Sequence, residues 1–191
     1  MKHPTTSRDF FENIYRQHAD PWQFEDSPYE RERYIVILDA LTRYPYSRAY
    51  EPGCSIGVLT EALAPRCGQL EAIDISPTAV ARAKDRCKDL PNVSIRCGSL
   101  PEMIPVEQLD LVIFSEIGYY FERRELKKII QAFSERLVSG GVLLAVHWLG
   151  TSTDHLLSGD QVHEIIRGNG QLFLDKEERY PRFRLDRMVR R

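Results

Sequence analysis

Beginning near residue 47, short apolar segments alternate with stretches of helical length, and this alternation leaves few possible folds. The apolar segments are AYEP (49–52), LEAIDI (70–75), VSIRC (93–97), LDLVIFSE (109–116) and VLLAVHWL (142–149). Helices between successive strands indicate parallel pairing with right-handed crossovers. The fourth segment is apolar almost throughout, which is typical of a strand covered on both faces. The sequence therefore predicts an α/β fold.

Start and stop signals locate the helices. Ser76-Pro77 joins a capping hydroxyl to a proline at the first helical position and predicts a helix there. Its expected inner face is Ala79, Val80, Ala83, Cys87 and Leu90. The helix after the fourth strand is expected to end at Gly140-Gly141. Before the first strand, Ser7 can cap one helix, Asp20-Pro21-Trp22 would break it, and a second helix is expected from Pro28 to Leu41.

The pattern changes after Trp148, where a polar loop and a short helix precede extended segments at about 171–178 and 182–189. The turn near Tyr180-Pro181 is too short for a crossover helix, so these segments predict an antiparallel hairpin. The expected fold is a Rossmann-like, doubly wound sheet of seven strands, mostly parallel, with helices on both faces. We expect a single domain over residues 1–191, with a helical lid at 1–45 and the core at 46–191.

Composition excludes several classes of protein. The 191 residues carry 26 Lys plus Arg against 28 Asp plus Glu, so no strong field points to a polyanionic or membrane partner. The first 20 residues lack the apolar core of a secretory signal, and no apolar stretch is long enough for a membrane span. Cys54, Cys67, Cys87 and Cys97 are spaced for neither zinc nor redox chemistry. These features predict a cytoplasmic protein with reduced thiols.

The loop Glu51-Pro52-Gly53-Cys54-Ser55-Ile56-Gly57 lies where the first strand turns into a helix. Glycines at such a turn let the backbone approach a nucleotide, although a plain strand-to-helix turn has the same pattern. Asp74 follows Gly53 at about the 20-residue offset at which an acidic side chain binds a ribose diol. Together they predict adenosine recognition and leave both NAD and other adenosine cofactors open.

These residues resemble a known family. Glu51-x-Gly53-x-Ser55-x-Gly57, Asp74 and the final hairpin resemble the class I S-adenosylmethionine-dependent methyltransferases. The resemblance narrows to the nodulation protein S family and covers about residues 10–187. Its strings are Asp20-Pro21-Trp22, Tyr29-Glu30, EPGCSIGVLTEALAPRC (51–67), SEIGYY (115–120), AVHW (145–148) and SGDQVH (158–163). That family implies N-methylation of the deacetylated, non-reducing-end glucosamine of chitooligosaccharides in rhizobial Nod-factor synthesis.

The resemblance also implies a cofactor site for S-adenosylmethionine. The 51–57 loop would hold the methionine part, Asp74 the ribose, and Ile75 with the turn at Ser99-Leu100 the adenine. Trp22 and Arg33 would close over the cofactor, although a packed Trp and a solvated Arg are open alternatives. The expected cofactor residues are Trp22, Arg33, Glu51, Gly53, Cys54, Ser55, Gly57, Asp74, Ile75, Ser99, Leu100 and Ser115.

The acceptor is expected beyond the carboxyl ends of the fourth and fifth strands. An ammonium has no lone pair, so Glu116 or His147 is expected to act as a general base, unless they are a structural carboxylate and a core histidine. Aromatic and polar side chains nearby would bind a sugar or a cationic amine, or else belong to the core or the surface. The expected acceptor residues are Tyr119, Tyr120, Trp148, Asp160 and His163.

The leading hypothesis is an N-methyltransferase of a small-molecule amine, with an amino sugar as the best candidate. Arginines near the C-terminus favour a nucleic-acid acceptor, but the N-P-P-Y type signature of nucleobase methyltransferases is absent where SEIGYY stands. A non-catalytic adenosine-binding domain is a third alternative. A nicotinamide dehydrogenase would lack room for a substrate domain. No membrane partner is expected, and the sequence leaves the oligomeric state open.

Overall fold

A computed structural model describes residues 7–191 and contains seven strands in the order β3-β2-β1-β4-β5-β7-β6. The strands are β1 (Tyr46–Pro52), β2 (Cys67–Asp74), β3 (Val93–Cys97), β4 (Leu109–Ser115), β5 (Leu137–Trp148), β6 (Leu172–Arg179) and β7 (Phe183–Arg190). The helices are α1 (Arg8–Gln17), α2 (Pro28–Asp39), α3 (Val58–Leu63), α4 (Pro77–Arg86), α5 (Arg123–Arg136) and α6 (Gly159–Arg167). The predicted Rossmann-like fold is confirmed.

The chain divides into two compact units, Met1–Ser99 and Leu100–Arg191. In the first unit, β1 pairs parallel with β2, and β2 pairs parallel with β3. In the second unit, β4 and β5 are parallel, whereas β7 pairs antiparallel with both β5 and β6. The predicted C-terminal hairpin is therefore confirmed, and the Tyr180 N–H closes it by donating to the Phe183 carbonyl at 2.8 Å.

Helix α4 packs as its periodicity predicts. The Ser76 hydroxyl caps it by accepting from the Ala79 N–H, and Pro77 occupies its first position. Its apolar face lies against β2, β3 and the loop after β1 in one cluster with Leu90 at the margin; the buried members are Cys54, Ala72, Val80, Ala83, Cys87 and Ile95. Burial of this face fixes the N-terminal end of α4 next to the loop that follows β1.

The predicted end of α5 is wrong. The helix stops at Arg136, and β5 begins at Leu137, which is fully buried, so Gly140-Gly141 lie inside the strand rather than behind the helix. Gly140 has a φ of +74°, and the pairing of β4 with β5 shifts register between Leu109 and Leu111. The glycines therefore accommodate an irregularity in the strand. A glycine pair can serve this purpose as well as end a helix.

The single-domain prediction and the lid at 1–45 stay predictions, and residues 1–6 lie outside the described residues. Within 7–191, no helix is both long enough and apolar enough to cross a bilayer.

Candidate functional site

The loop after β1 adopts the backbone that its glycines suggest. Gly53, Ser55 and Gly57 all have positive φ, at +80°, +53° and +83°. A Cβ on Gly57 would lie 3.0 Å from both Cα and Cβ of Ala83, so the loop can approach α4 this closely only with glycine at this position. The N–H groups of Gly53 and Cys54 donate to the Ile73 carbonyl at 2.7 and 2.9 Å. These contacts hold the loop against the end of β2.

Asp74 fastens this loop to the start of α4. Its Oδ2 accepts from the Ser55 N–H at 2.9 Å, and its Oδ1 accepts from the Ser76 N–H at 2.9 Å. Burial raises the pKa of Asp74 to about 6, although these two N–H groups favour the ionised form. A carboxylate oxygen has two lone pairs, so each oxygen of Asp74 can also accept from a ligand hydroxyl.

Glu51 is the second-to-last residue of β1 and is buried, with 3% of its surface exposed. Burial raises the pKa of Glu51 to about 8, and the nearby charge of Asp74 acts in the same direction. Within residues 7–191, its Oε2 has no hydrogen-bond partner. A buried acceptor without a donor costs about 1–3 kcal/mol, so this oxygen is suited to a cationic ligand group.

The segment before β1 lies over the loop. The Tyr15 hydroxyl donates to Ser55 Oγ at 2.5 Å. The Trp22 ring packs against Tyr15 with 5.4 Å between centroids and remains 36% exposed. Ser55 stands where the motif usually has its middle glycine, and its hydroxyl joins the loop to α1. The structure thus places Trp22 beside the loop through an aromatic contact.

Helix α1 is fixed to the N-terminal end of α4 by Glu12. This carboxylate accepts from Ser76 Oγ at 2.7 Å and from the N–H and hydroxyl of Thr78 at 3.1 and 2.7 Å. The Ser76 hydrogen bond is the main cause that lowers the pKa of Glu12 to about 2. Arg82 of α4 donates to three main-chain carbonyls at the end of α1. Helix α1 is consequently held at its middle and at its C-terminal end.

The remaining expected cofactor residues occupy ordinary packed positions. Arg33 is 2% exposed, forms an ion pair with Glu30, and lies 5.8 and 5.6 Å from the ring centroids of Tyr29 and Tyr34. Burial raises the pKa of the Cys54 thiol. The Asp74 carbonyl accepts from the Gly98 N–H at 2.9 Å. Ile75 and Ser99 are half-buried in the first unit, and the buried Leu100 begins the second unit.

In the second unit, Glu116 directly follows β4 in a strained conformation. Its φ is +60°, which is uncommon outside glycine and is maintained where the surrounding structure holds it. Its N–H donates to the Val146 carbonyl at 2.9 Å, and its Oε2 accepts from the Tyr119 hydroxyl at 2.7 Å. Ser115 is the last residue of β4 and is half-buried. The Glu116 carboxylate is thus oriented by its own turn.

His147 lies in β5, fully buried, and both of its ring nitrogens are engaged. Nε2 accepts from the Gly118 N–H at 3.1 Å, so in the neutral ring the proton lies on Nδ1. Nδ1 is 3.3 Å from His163 Nε2, and His163 Nδ1 is 3.0 Å from Asp186 Oδ2. Protons on both Nδ1 atoms give one directed chain from the turn to Asp186. This arrangement leaves His147 no lone pair for a substrate proton and favours Glu116 as the group that contacts an acceptor.

Asp186 ends this chain in a fully buried position. Burial opposes its ionisation, but hydrogen bonds from His163 and Arg167 hold the pKa of Asp186 well below its usual range. Burial also lowers the pKa of His163, against the influence of Asp186. Both nitrogens Nε and Nη2 of Arg167 donate to Asp186, at 2.7 and 3.1 Å. The buried charge is therefore compensated by arginine, and burial favours the neutral form of His163.

Asp160 and His163 of α6 have different partners in the C-terminal hairpin. Asp160 accepts from Arg179 at 2.6 and 3.0 Å and from Arg184 at 3.1 Å. The Arg179 hydrogen bonds are the main cause that lowers the pKa of Asp160 to about 2. His163 is buried against Asp186 instead. Their roles in acceptor binding stay a prediction, and the contacts present join α6 to the C-terminal hairpin.

An aromatic cluster surrounds a histidine that the sequence analysis missed. The His155 ring stacks on Tyr119 with 3.7 Å between centroids and an interplanar angle of 15°. The His155 ring also makes edge-to-face contacts with Tyr120 and Trp148, with 5.2 and 6.0 Å between the ring centroids. His155 lies in the polar loop after β5, outside any motif. The backbone supports its position, because the Leu156 N–H donates to the Tyr119 carbonyl at 2.8 Å.

Residues 6–167 match the family described as Nodulation protein S (NodS). The chain belongs to the NodS family. Nodulation protein S of Rhizobium tropici is 30% identical over 142 residues, which are 72% of this chain and 60% of that protein. The matched regions span between 48% and 60% of the first three curated NodS relatives, so this chain corresponds to about half of their length.

Two solved structures are similar to this chain. The crystal structure of the N-methyltransferase NodS from Bradyrhizobium japonicum WM9 in complex with S-adenosyl-L-homocysteine is 26% identical, with a TM-score of 0.83 over 94% of this chain and 97% of that chain. A putative methyltransferase from Pseudomonas syringae is 33% identical, with a TM-score of 0.75 over 85% and 99% of the two chains. The seven-stranded fold of this NodS family member is thus shared with both proteins.

Proposed function

We propose that the chain is an S-adenosylmethionine-dependent N-methyltransferase. The observation that carries this proposal is the buried Oε2 of Glu51, which has no donor within residues 7–191. Glu51 is the second-to-last residue of the strand that precedes the glycine-containing turn. Membership of the NodS family and similarity to a structure that contains S-adenosyl-L-homocysteine support the same cofactor. We also propose that the protein is cytoplasmic, which is supported by four free cysteines.

The first unit has groups that fit such a cofactor. Glu51 would accept from the α-ammonium, Asp74 would accept from the ribose hydroxyls, and the positive φ of Gly53 and Gly57 lets the main chain approach closely. Ile75 and the turn at Ser99 would flank the adenine. Trp22 would cover the site, and Arg33, Cys54 and Ser55 are proposed to line it. The expected roles of Leu100 and Ser115, which lie in the second unit, stay predictions. When bound, the cofactor supplies an electrophilic methyl group on a sulfonium.

The second unit has groups that fit an amine acceptor. Glu116 would accept a hydrogen bond from the amine, with its carboxylate oriented by the Tyr119 hydroxyl. Tyr120 and Trp148 are half-buried and offer aromatic surface to a sugar ring. Alignment of donor and acceptor can supply several kcal/mol of the barrier reduction. The proposed acceptor is the deacetylated glucosamine of a chitooligosaccharide, with other small amines as the wider class.

The direct test is methyl transfer from S-adenosylmethionine labelled in the methyl group. The full chain is incubated with chitosan oligomers, fully N-acetylated chitin oligomers, polyamines and tRNA. We expect label only in the chitosan oligomers, because the N-acetylated control lacks a free amine. Label in polyamines would mean that the acceptor is another small amine rather than an amino sugar. Label in tRNA would contradict the proposal of a small-molecule acceptor. If S-adenosylhomocysteine binds but no acceptor is labelled, a non-catalytic adenosine-binding role replaces the enzyme.

A further inference from the structure

We propose that His155 accepts the proton of the acceptor amine. This inference rests on the proposed N-methyltransferase activity and assigns to the polar loop after β5 a step for which the sequence suggested only Glu116 and His147. The evidence is the position of the His155 ring in a half-buried aromatic cluster beside Glu116, together with the arrangement that removes His147 from such a role.

The His155 ring is held in place on one side and accessible elsewhere. Its face stacks on Tyr119, whose hydroxyl donates to Glu116, and its edge contacts involve Tyr120 and Trp148. Within residues 7–191, neither ring nitrogen of His155 donates or accepts a hydrogen bond, and the residue is half-buried. A histidine with free nitrogens beside an oriented carboxylate has the two functions that an amine needs, one to orient it and one to deprotonate it.

The other candidates fit the proton transfer less well. His147 is fully buried with both nitrogens engaged, one of them by the Gly118 N–H. A carboxylic acid ordinarily titrates near pH 4 and an imidazole near pH 6.5, so imidazole is the better matched base for an amine near neutral pH. Glu116 therefore keeps the role of contacting the amine, and His155 removes its proton.

The charged and titratable groups around His155 come from two segments. Asp154 precedes it in the loop, Glu116 and Tyr119 lie in the turn after β4, and Tyr120 ends that turn. Burial lowers the pKa of His155, whereas the charges of Asp154 and Glu116 oppose the change. Burial also raises the pKa of Tyr120, so this ring stays neutral. A neutral imidazole at pH 7 is thus available to take a proton.

The reaction balances with the acceptor and the sulfonium donor alone. The ammonium of the acceptor gives its proton to a ring nitrogen of His155, and the amine regains its lone pair. The amine nitrogen then forms a bond to the methyl carbon as the sulfur–carbon bond breaks and its electron pair stays on sulfur. The product is a methylated ammonium, and His155 returns its proton to water.

The test compares variants that separate proton transfer from ring stacking. His155→Gln and His155→Phe both lose the base, but Phe retains an aromatic ring on Tyr119. For transfer to chitosan oligomers at pH 7, we expect kcat to fall at least about tenfold in both, with S-adenosylhomocysteine affinity within twofold of wild type. In the wild-type protein we expect kcat to fall below pH 6.5, and in both variants this fall should be absent. In a third variant, His155→Ala, added imidazole should restore activity. If His155→Phe keeps more than about a third of kcat, or the acid limb persists in it, the proposal is wrong.

A second measurement decides the role of His155 without turnover. The His155 ring resonance is followed by NMR in the complex with S-adenosylhomocysteine, during addition of chitosan oligomer or its N-acetylated control. We expect a shift of this resonance and a change in its titration with the free amine only. An identical response to both oligomers would overturn the proposal. Absence of label in the transfer assay, by contrast, counts against the enzyme activity itself.

Discussion

At the scale of single residues, Glu51 and Asp74 are two buried carboxyl groups that the loop after β1 brings together. Burial raises the pKa of Glu51 to about 8 and that of Asp74 to about 6. Asp74 is compensated by two N–H groups, whereas Oε2 of Glu51 has no such donor within 7–191. Protonation of Glu51 at neutral pH is therefore the state expected without a ligand.

A proton should leave Glu51 when a cation binds beside it. At pH 7 a group with a pKa of about 8 is mostly protonated, and a nearby ammonium lowers that pKa, so binding of S-adenosylhomocysteine should release up to about 0.9 proton. Calorimetry in buffers of different ionisation enthalpy measures this number. Glu51→Gln should bind more weakly and release almost none. Equal proton release by both proteins would show that the ammonium does not contact Glu51.

The same group has a defined effect on stability without ligand. The folded pKa of Glu51 lies above the unfolded value of about 4.3, so between these values the folded state binds more protons. The contribution of Glu51 to the free energy of unfolding is therefore largest below pH 4 and decreases as pH rises to about 8. The Glu51→Gln protein lacks this dependence and serves as the control.

At the scale of elements, buried polar contacts join α6 and the C-terminal hairpin to the turn after β4. The chain from Gly118 through His147 and His163 to Asp186 connects the turn, β5, α6 and β7. Each member is buried, and a buried polar group is costly unless it is hydrogen-bonded. The hydrogen bonds of the chain therefore offset the desolvation of its members. The chain therefore holds the turn that carries Glu116 and Tyr119.

Loss of the Asp186 charge should be severe. Asp186→Asn leaves Arg167 and Arg184 without their buried partner and should lower the free energy of unfolding by about 3–5 kcal/mol. Asp175→Asn is the matched control, because Asp175 on β6 forms a more exposed ion pair with Arg187 at 2.6 Å and should cost less than about 1 kcal/mol. Urea unfolding of both variants measures the difference. Equal stabilities would contradict the stabilising role of the series of hydrogen bonds that ends at Asp186.

The contacts of α1 divide the predicted lid into a fixed and a movable part. Glu12 and Arg82 hold α1 against α4, whereas residues 20–27 form turns and carry the partly exposed Trp22. We expect S-adenosylhomocysteine to slow amide exchange in residues 20–27 and to leave α1 within about twofold of its rate without ligand. Exchange followed by mass spectrometry measures both. A uniform change across 8–27 would mean that α1 moves with the lid.

At the scale of the whole molecule, ligand binding should appear as thermal stability. A ligand at 100 times its dissociation constant adds about 2.7 kcal/mol, which is about 5–10 °C in Tm for a chain of this length. We expect S-adenosylhomocysteine to produce such a shift and NAD to produce none. A shift with NAD alone would contradict the cofactor assignment. Asp74→Ala should reduce the shift, because two main-chain N–H groups lose their acceptor.

The sequence by itself determined the elements whose signals are local. Strand and helix periodicity, the cap at Ser76, the glycine loop and the short turn near Tyr180 depend on neighbouring residues, so these could be predicted. The predicted position of the α5 end was wrong because a glycine pair is found both at helix ends and at irregularities within strands.

Only the tertiary structure decided which side chains are partners. The position of His147 at the end of the fifth strand predicts a general base, but contacts with Gly118 and His163 engage both of its ring nitrogens. His155 belongs to no sequence motif, and its ring contacts with Tyr119, Tyr120 and Trp148 become visible only in the folded structure. These contacts join segments distant in sequence. Burial and hydrogen-bond partners arise from packing, so no local pattern encodes them.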